Sequence, residues 1–509
     1  MVRATHTHDR RYLLAAAIVA GACLAVALVG TSSAARRSAG DPATWKTWHL
    51  ASASQFRLPP PPAANSPTTK QELAQLLRFQ NARTSRQLEL IKQWGGPLAV
   101  LPWTDLFLQA IQSYRPRPPA AAYDLAIFYT GLYDAMVAAC DSRDAYAATT
   151  RPAPSALDPR IKPVGQVAPG STYASPEAAM AGAAQILIPY LFSGAPAALY
   201  VRAANDAVAA RLWAGLNYRS DLERARLLGE EVAQLVINQA KTDGRATNTG
   251  FPTPEPAGDA YWSPTPPTYE PPFGGPAGTW RPWLMTSNDE FVKSLPGPST
   301  YGSPAYMAQL MAVLNTVNHE TQAQRNIAFF WDDGPGTLTP PGHWISIAEG
   351  VIKQQRPTNA QALRELALLS AAEADAGVEA WLIKYTYWSV RPITAIWRLC
   401  DGGQTLCSED TVRADPSRAT YRGQWYSPIA TPSFPSYPSA HAAFSAAASS
   451  VIGYFFPSVA AKVNAMAEQA AQSRLYAGIH YPEDLRDGLS LGRLIGQLAI
   501  ARAESDGAQ

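Results

Sequence analysis

From Thr68 to Gly244, apolar residues recur at steps of three and four, and no stretch alternates apolar with polar residues for long. That period lines one side of a helix and gives a strand no consistent buried face. TTKQELAQLLRFQNARTSRQLELIKQW is one such run, stopped by Gly95-Gly96-Pro97, and AAAYDLAIFYTGLYDAMVAAC and SDLERARLLGEEVAQLVINQAKTDG are others. The pattern resumes after Ser303 and includes NAQALRELALLSAAEADAGVEAWLIKYTYW, from Asn359 to Trp388. The expected fold is all-α: two helical bundles joined by long connections rich in proline and aromatic residues, with the active site in the C-terminal bundle. The corresponding boundaries are 1–35 for an export segment, 36–66 for a proline-rich linker and 67–250 for the N-terminal bundle. An irregular connection at 251–302 and a C-terminal helical domain at 303–509 complete the division.

The connections carry their own information. Ten prolines fall between Pro252 and Pro282, interleaved with Tyr261, Trp262, Tyr269, Phe273, Trp280 and Trp283. A disordered linker is poor in aromatic residues, so this segment is expected to be ordered, laid over the helices and lining a substrate mouth. A second loop is expected at 392–433.

Charge and cysteine use narrow the function. A net charge of +2 without a long basic run argues against nucleic acid as a partner, so any functional positive charge must be local. The N-terminus has a basic start, an apolar run from Tyr12 to Gly30 and small residues ending at Ala35. Asp9-Arg10-Arg11-Tyr12-Leu13-Leu14 resembles a twin-arginine signal, so the body of the protein is expected outside the cytoplasm. The apolar run is near the length of a membrane span, which leaves an uncleaved anchor open as the one membrane contact. In an oxidising compartment Cys400 and Cys407 could close a small disulfide loop, leaving Cys140 alone and buried.

The chemistry is expected in three short groups. In FPSYPSAHAAFSAAA, Pro435 and Pro438 impose an extended approach, Ser439 caps the helix that follows, and His441 lies in its first turn. The free amides of Ala440 and His441 make that helix start an anion site. In KYTYWSVRP, Lys384 and Arg391 are seven residues apart and expected on one helix face. In SRLYAGIHYPED, Pro482 suits the first turn of a helix, and Asp484 can turn back to orient His480. Two guanidinium groups (Arg391 and Arg474), one ammonium and a helix N-terminus together suit a tetrahedral oxyanion.

Lys384-x6-Arg391-Pro392, Pro438-Ser439-x-His441 and Ser473-Arg474-x5-His480-x3-Asp484 resemble the three-part signature of the vanadium haloperoxidase and type 2 phosphatidic acid phosphatase superfamily. The resemblance implies a vanadate or phosphate pocket formed by Lys384, Arg391, Ser439, Ala440, His441, Arg474 and His480. His480 would be the vanadium ligand or the phosphate-attacking nucleophile, oriented by Asp484, and His441 the acid–base residue. The implied substrates are hydrogen peroxide, halide and a small organic acceptor, with Lys384 polarising the peroxide. Trp381 and Phe434 stand where chloroperoxidase-type members carry halide-side aromatics. Asp333 resembles an acidic residue that pairs with a pocket arginine, and His343 also resembles haloperoxidase-like chains without an assignable role. One departure is Ala440, where the family usually has glycine. Two other readings stay open: a secreted acid phosphatase that acts on phosphate esters through a phosphohistidine and needs no cofactor, and an inactive exported anion-binding protein.

Overall fold

The computed structural model describes residues 40–147, 150–167, 170–248, 250–251, 253–401 and 425–508, without the side chains of 400 and 401. The expected export segment and the expected Cys400–Cys407 disulfide lie outside the described residues. Among these residues all regular structure is helical, apart from one isolated antiparallel bridge between Tyr261 and Ser389. Cys140 is buried and free. Among the described residues no helix is long and apolar enough to cross a membrane.

The first half contains α1 (Pro67–Asn81), α2 (Ser85–Trp94), α3 (Leu101–Tyr114), α4 (Pro118–Ala145), the one-turn α5 (Pro154–Leu157), α6 (Pro176–Leu191), α7 (Ala197–Trp213) and α8 (Arg219–Ala240). The run read as continuous from Thr68 to Trp94 is two helices. Thr84 takes extended angles and closes a capping box with Gln87, which starts α2 afresh. The second half contains α9 (Pro304–Asn318), α10 (Gln322–Phe330), α11 (Thr339–Gln355), α12 (Asn359–Tyr387), α13 (Pro392–Asp401), α14 (Ala440–Phe455), α15 (Ala460–Tyr476) and α16 (Pro482–Ser505). Helix α13 corrects the loop expected from residue 392: Pro392 at its first position supplies the preset φ from which a helix can start.

Helices α4, α6 and α8 pack on one another, and α12, α14 and α16 form a second group with α15 against α14. The long α4 and α12 lie against each other and join the two groups. Every residue from Ala121 to Cys140 in α4 is buried, as is every residue from Ala362 to Trp381 in α12. A helix enclosed on all sides needs no polar stripe. This explains runs such as LALLSAAEADAGVEAW, in which small residues let neighbours approach from every direction.

Enclosed helices also carry acids, and two of these hold the irregular segments. Asp134 of α4 accepts from the N–H groups of Trp48, His49 and Leu50 at 2.9, 2.7 and 3.0 Å. Asp375 of α12 accepts from those of Trp283, Leu284 and Met285 at 2.7, 2.7 and 2.9 Å. A bent segment without helix or sheet partners must find acceptors for its amides when buried, and one carboxylate serves three at once. The stretch read as a linker is therefore laid on α4 over residues 45–50, with Trp45 and Leu50 buried.

The contact that matters most for the site is between α14 and α16. A Cβ on Gly488 would stand 2.4 Å from the Ser439 carbonyl oxygen, and one on Gly492 would stand 2.1 Å from that of Ala443. Only glycine permits this approach, which brings the first turns of the two helices side by side. Ser439 N–H donates to the Asp484 carbonyl at 2.9 Å and locks the register.

Asp375→Ala should strand three buried N–H groups and lower unfolding free energy by about 2–4 kcal/mol. Urea unfolding followed by circular dichroism measures this, and a loss below about 1 kcal/mol would remove the anchoring role.

Candidate active site

Ser439 is the N-cap of α14, its Oγ accepting from Ala442 N–H at 3.3 Å while its own O–H remains to donate. Ala440 and His441 follow as the first two helical residues, whose N–H groups have no intrahelical acceptor. Ala440 has helical backbone angles and is absent from the positive-φ residues. Alanine in place of the usual glycine therefore costs no backbone strain and keeps the amide.

His480 precedes α16, and its Nδ1 lies 2.8 Å from Asp484 Oδ2. That oxygen also accepts from Ser436 Oγ at 2.5 Å and Tyr481 N–H at 3.2 Å. On the other side of the ring, Arg391 Nη1 stands 3.2 Å from Nε2. A guanidinium can only donate, so Nε2 holds the lone pair and Nδ1 the hydrogen. Burial, then the charges of Arg391, Lys384 and Arg474, hold the imidazole well below its ordinary pKa, so it is neutral at pH 7. The Asp484 carboxyl is pushed up to about 6 by burial, against the Ser436 hydrogen bond and the Lys384 charge. It is still an anion at neutral pH.

Lys384 and Arg391 reach the site differently from expectation. Helix α12 ends at Tyr387, Trp388 turns left-handed at φ 49°, and Arg391 lies beyond it, just before α13. The two residues share no helix face and converge because the chain reverses. Lys384 Nζ donates to the carbonyls of Pro435, Ser436 and Pro438 at 2.9, 2.7 and 2.5 Å. An ammonium has three N–H groups, so all of them are spent on backbone. Arg391 Nε donates to the Phe434 carbonyl at 2.8 Å and Nη1 to that of Ile479 at 2.7 Å, while its buried Nη2 has no partner. Burial lowers both groups, Lys384 far below its usual value and Arg391 to about 9.

A cavity of about 520 Å³ opens beside these groups. Trp381, Phe434, Ala440, His441, Arg474 and His480 line it; Lys384, Arg391, Ser439 and Asp484 do not. The Phe434 ring lies beside two of the cations, its centroid 5.0 Å from Lys384 Nζ and 4.8 Å from the Arg391 guanidinium carbon. Trp381 packs against Phe434 at 5.2 Å between centroids, and its buried indole N–H has no partner. Arg474 donates through Nε to Ser473 Oγ at 2.9 Å and through Nη2 to the Ala328 and Trp331 carbonyls; burial lowers it to about 10. Thr268, Glu270 and Phe273 belong to the irregular connection, and Arg115 and Arg117 to the α3–α4 turn, so both halves of the chain form the wall.

The expected pairing of Asp333 with an arginine gives way to a different arrangement. Asp333 lies 3.2 Å from His441 Nε2 and 3.0 Å from His343 Nδ1. Sequence reading also missed Ser436, which braces Asp484; its one signal was its position three residues before the helix cap.

Three nearly fully buried cations, Lys384, Arg391 and Arg474, face two neutral imidazoles and few carboxylates. Such a surplus of buried positive charge is costly unless an anion enters. The free Nη2 of Arg391, the lone pair of His480 and the helix-start amides suit a tetrahedral oxyanion carrying more than one charge, so the residues present fit vanadate or phosphate.

Comparisons with known proteins bear on the fold. Residues 364–464 and 460–506 match the family model of the VCPO second helical-bundle domain. The first bacterial vanadium-dependent iodoperoxidase of known structure is 23% identical, covers 80% of this chain and 96% of its own, and superposes with a TM-score of 0.61. A holo-type bacterial vanadium-dependent chloroperoxidase is 14% identical, covering 78% of this chain and 94% of its own at TM-score 0.53. An apo-type form is 15% identical, covering 81% and 96% at TM-score 0.53. No curated protein matches the chain. The matched segment, residues 364–506, holds the signature from Lys384 to Asp484 and is similar to the VCPO second helical-bundle domain, and the chain shares the helical fold of these solved structures.

Proposed function

We propose that this protein is an exported vanadium-dependent haloperoxidase that oxidises halide with hydrogen peroxide. The observation that carries this reading is the cavity wall beside His480. Trp381 and Phe434 pack there in contact, with an unspent indole N–H, and such a surface suits a weakly hydrated halide better than a phosphate ester. Export rests on the N-terminal sequence from Arg10 to Ala35.

His480 would hold vanadate through Nε2, with Asp484 fixing the tautomer. Arg474, Arg391, the Ser439 hydroxyl and the Ala440 amide would hold its oxygens. Vanadate, when bound, supplies a Lewis acid for peroxide activation. Lys384 acts from behind the 435–438 segment: its ammonium orders that segment and its charge reaches the site, while its three donors stay on carbonyls. His441 is held to about 4 by burial and the Arg474 charge, so it is a neutral base able to accept a proton from hydrogen peroxide. The cavity falls within the range that holds small organic molecules, so it has room for an organic halogen acceptor as well as halide.

A secreted acid phosphatase is the second reading, favoured by the Asp333–His441 pair. A buried imidazole beside a carboxylate is suited to protonating a leaving alcohol, with His480 as the nucleophile.

Incubation with orthovanadate should switch on peroxide-dependent bromination by the purified protein, and His480→Ala should lower it by about a thousand-fold or more without changing the helical circular dichroism. Aryl phosphate hydrolysis that vanadate inhibits, with no halogenation, would establish the phosphatase reading instead.

The Asp484 value sets a pH dependence. Its carboxylate is neutralised as pH falls through about 6, removing the charge that supports His480, so kcat/KM for peroxide should decline on that acid side. In Asp484→Asn the remaining activity should lose this limb. A limb unmoved by the substitution would assign it to another group.

A further inference from the structure

The cavity has a buried end and an open end. Trp381, Phe434, His441, Arg474 and His480 are buried at the inner end, while Arg115, Arg117, Pro267, Thr268 and Glu270 are exposed at the outer one. The outer end is built by segments outside the three motifs, the α3–α4 turn and the irregular connection. Arg117 lies over the Phe273 ring, its guanidinium carbon 4.1 Å from the centroid, and reaches Glu270 at 3.5 Å. Both members of that pair are about half exposed, at 49% and 46%, so the contact contributes little and is readily exchanged. Phe273 is held more firmly. Its N–H donates to the Ser433 carbonyl at 3.1 Å, its carbonyl accepts from the Tyr385 hydroxyl, and its ring meets Phe434 edge-on. Arg115 ends α3 with a left-handed φ of 52° and extends toward the 334–336 loop, where a Cβ on Gly336 would stand 3.5 Å from its Nε. Among the described residues its guanidinium makes no ion pair or hydrogen bond. Of the nearby acids, Asp333 is engaged by His343, and the Arg474 charge acts on Asp332. Two guanidinium groups therefore stand at the opening with Glu270 in loose competition for one of them.

The lining is unusual in composition as well. Six prolines line the cavity, and among the described residues no cysteine, methionine, lysine or tyrosine does, although the chain has 22 tyrosines. Proline has no N–H to donate and no group that an electrophilic halogen attacks, whereas thiol, thioether, amine and phenol side chains react readily. Trp381, the electron-rich ring that remains, is buried at the inner end against Phe434. An electrophile formed beside His480 thus meets no sulfur, amine or phenol of the chain on its way out, and the group it consumes must be brought in. We propose that the outer end of the cavity is a subsite for the organic acceptor and takes a phenol bearing a carboxylate, with Arg115 and Arg117 on the carboxylate and the ring packed on Phe273 and the prolines. The acceptor role rests on the haloperoxidase reading, though the binding does not. The ring attacks hypohalous acid leaving the inner end: a carbon–halogen bond forms, the halogen–oxygen bond breaks with its electron pair on oxygen, and the hydroxide released takes the ring proton as water. An arginine fork matches a carboxylate with two parallel hydrogen bonds, and a guanidinium already stacked on a ring loses little freedom in making them. Arg117 exchanges Glu270 for the ligand.

Calorimetric titration of the purified protein with para-hydroxyphenylacetate and with its neutral amide tests the subsite directly. Excess orthovanadate without peroxide fills the inner oxyanion site and prevents turnover. The acid should bind about ten-fold more tightly than the amide. Combining Arg115→Gln with Arg117→Gln should bring the two ligands within about two-fold of each other. Phe273→Leu should weaken both by about three-fold or more. Glu270→Gln, which frees Arg117, should tighten the acid alone by about two-fold. Arg115, Arg117 and Glu270 are exposed, so these changes should leave the helical circular dichroism unaltered. Equal affinities in the wild-type protein would overturn the proposal, and so would a preference that survives the double arginine substitution. With peroxide and bromide added to a mixture of the two phenols, the ratio of brominated products should follow the binding preference and fall to about one in the double variant. Equal bromination by the wild-type protein would place the reaction in bulk solvent and overturn the acceptor role. A binding preference without any halogenation would uphold the subsite and remove the haloperoxidase reading instead.

Discussion

The second half of this fold is arranged around the burial of α12 from Ala362 to Trp381. A helix enclosed from Ala362 to Trp381 cannot lie on a surface, so the other helices must surround it, and α4 in turn is enclosed by its own neighbours. Close packing from all sides selects small side chains and leaves buried acids with nowhere to go. Asp375 is used as an anchor for backbone amides, and Glu365 and Glu373 are held well above the usual carboxyl range by burial alone. The same enclosure delivers Lys384, near the helix end, into a water-poor interior.

There the Lys384 ammonium does structural and electrostatic service together. By gathering three carbonyls it folds Pro435–Pro438 back toward α12, and this segment sets where α14 begins. The glycines of α16 then let His480 and Asp484 approach that start. A dry pocket with excess positive charge follows from these contacts. Its imidazoles stay neutral because burial and the neighbouring cations both oppose a further positive charge.

Phe434 occupies a particular place in this electrostatics. Its ring lies over both Lys384 and Arg391 and also forms cavity wall, so cation–π attraction keeps it where an apolar surface meets a positive field. A weakly hydrated anion and an organic molecule both find favourable contacts on such a surface. The irregular connection adds Phe273, packed edge-on against Phe434 at 5.1 Å, which explains why its aromatic residues are ordered among so many prolines.

The helices, the Ser439 cap and the His480–Asp484 pair were legible in the sequence because each depends on neighbours within a few residues. Capping is a contact between a residue and the next turn. A histidine just before a helix reaches the acid four positions on whatever surrounds it. Lys384 and Arg391 were recognisable as members of a motif, but their convergence was not. It depends on a left-handed turn at Trp388 and on carbonyls some fifty residues away in sequence. Pro392 could have been read as a helix start as readily as a loop, and packing decided. Asp333 and His441 are 108 residues apart and meet only because α10 packs on α15 and α11 on α14. The sequence by itself determined the helical period, the caps and the kinds of charge available. Tertiary structure alone decided which charges share a dry cavity and which donors are already spent, because desolvation and hydrogen-bond saturation belong to surroundings assembled from distant segments.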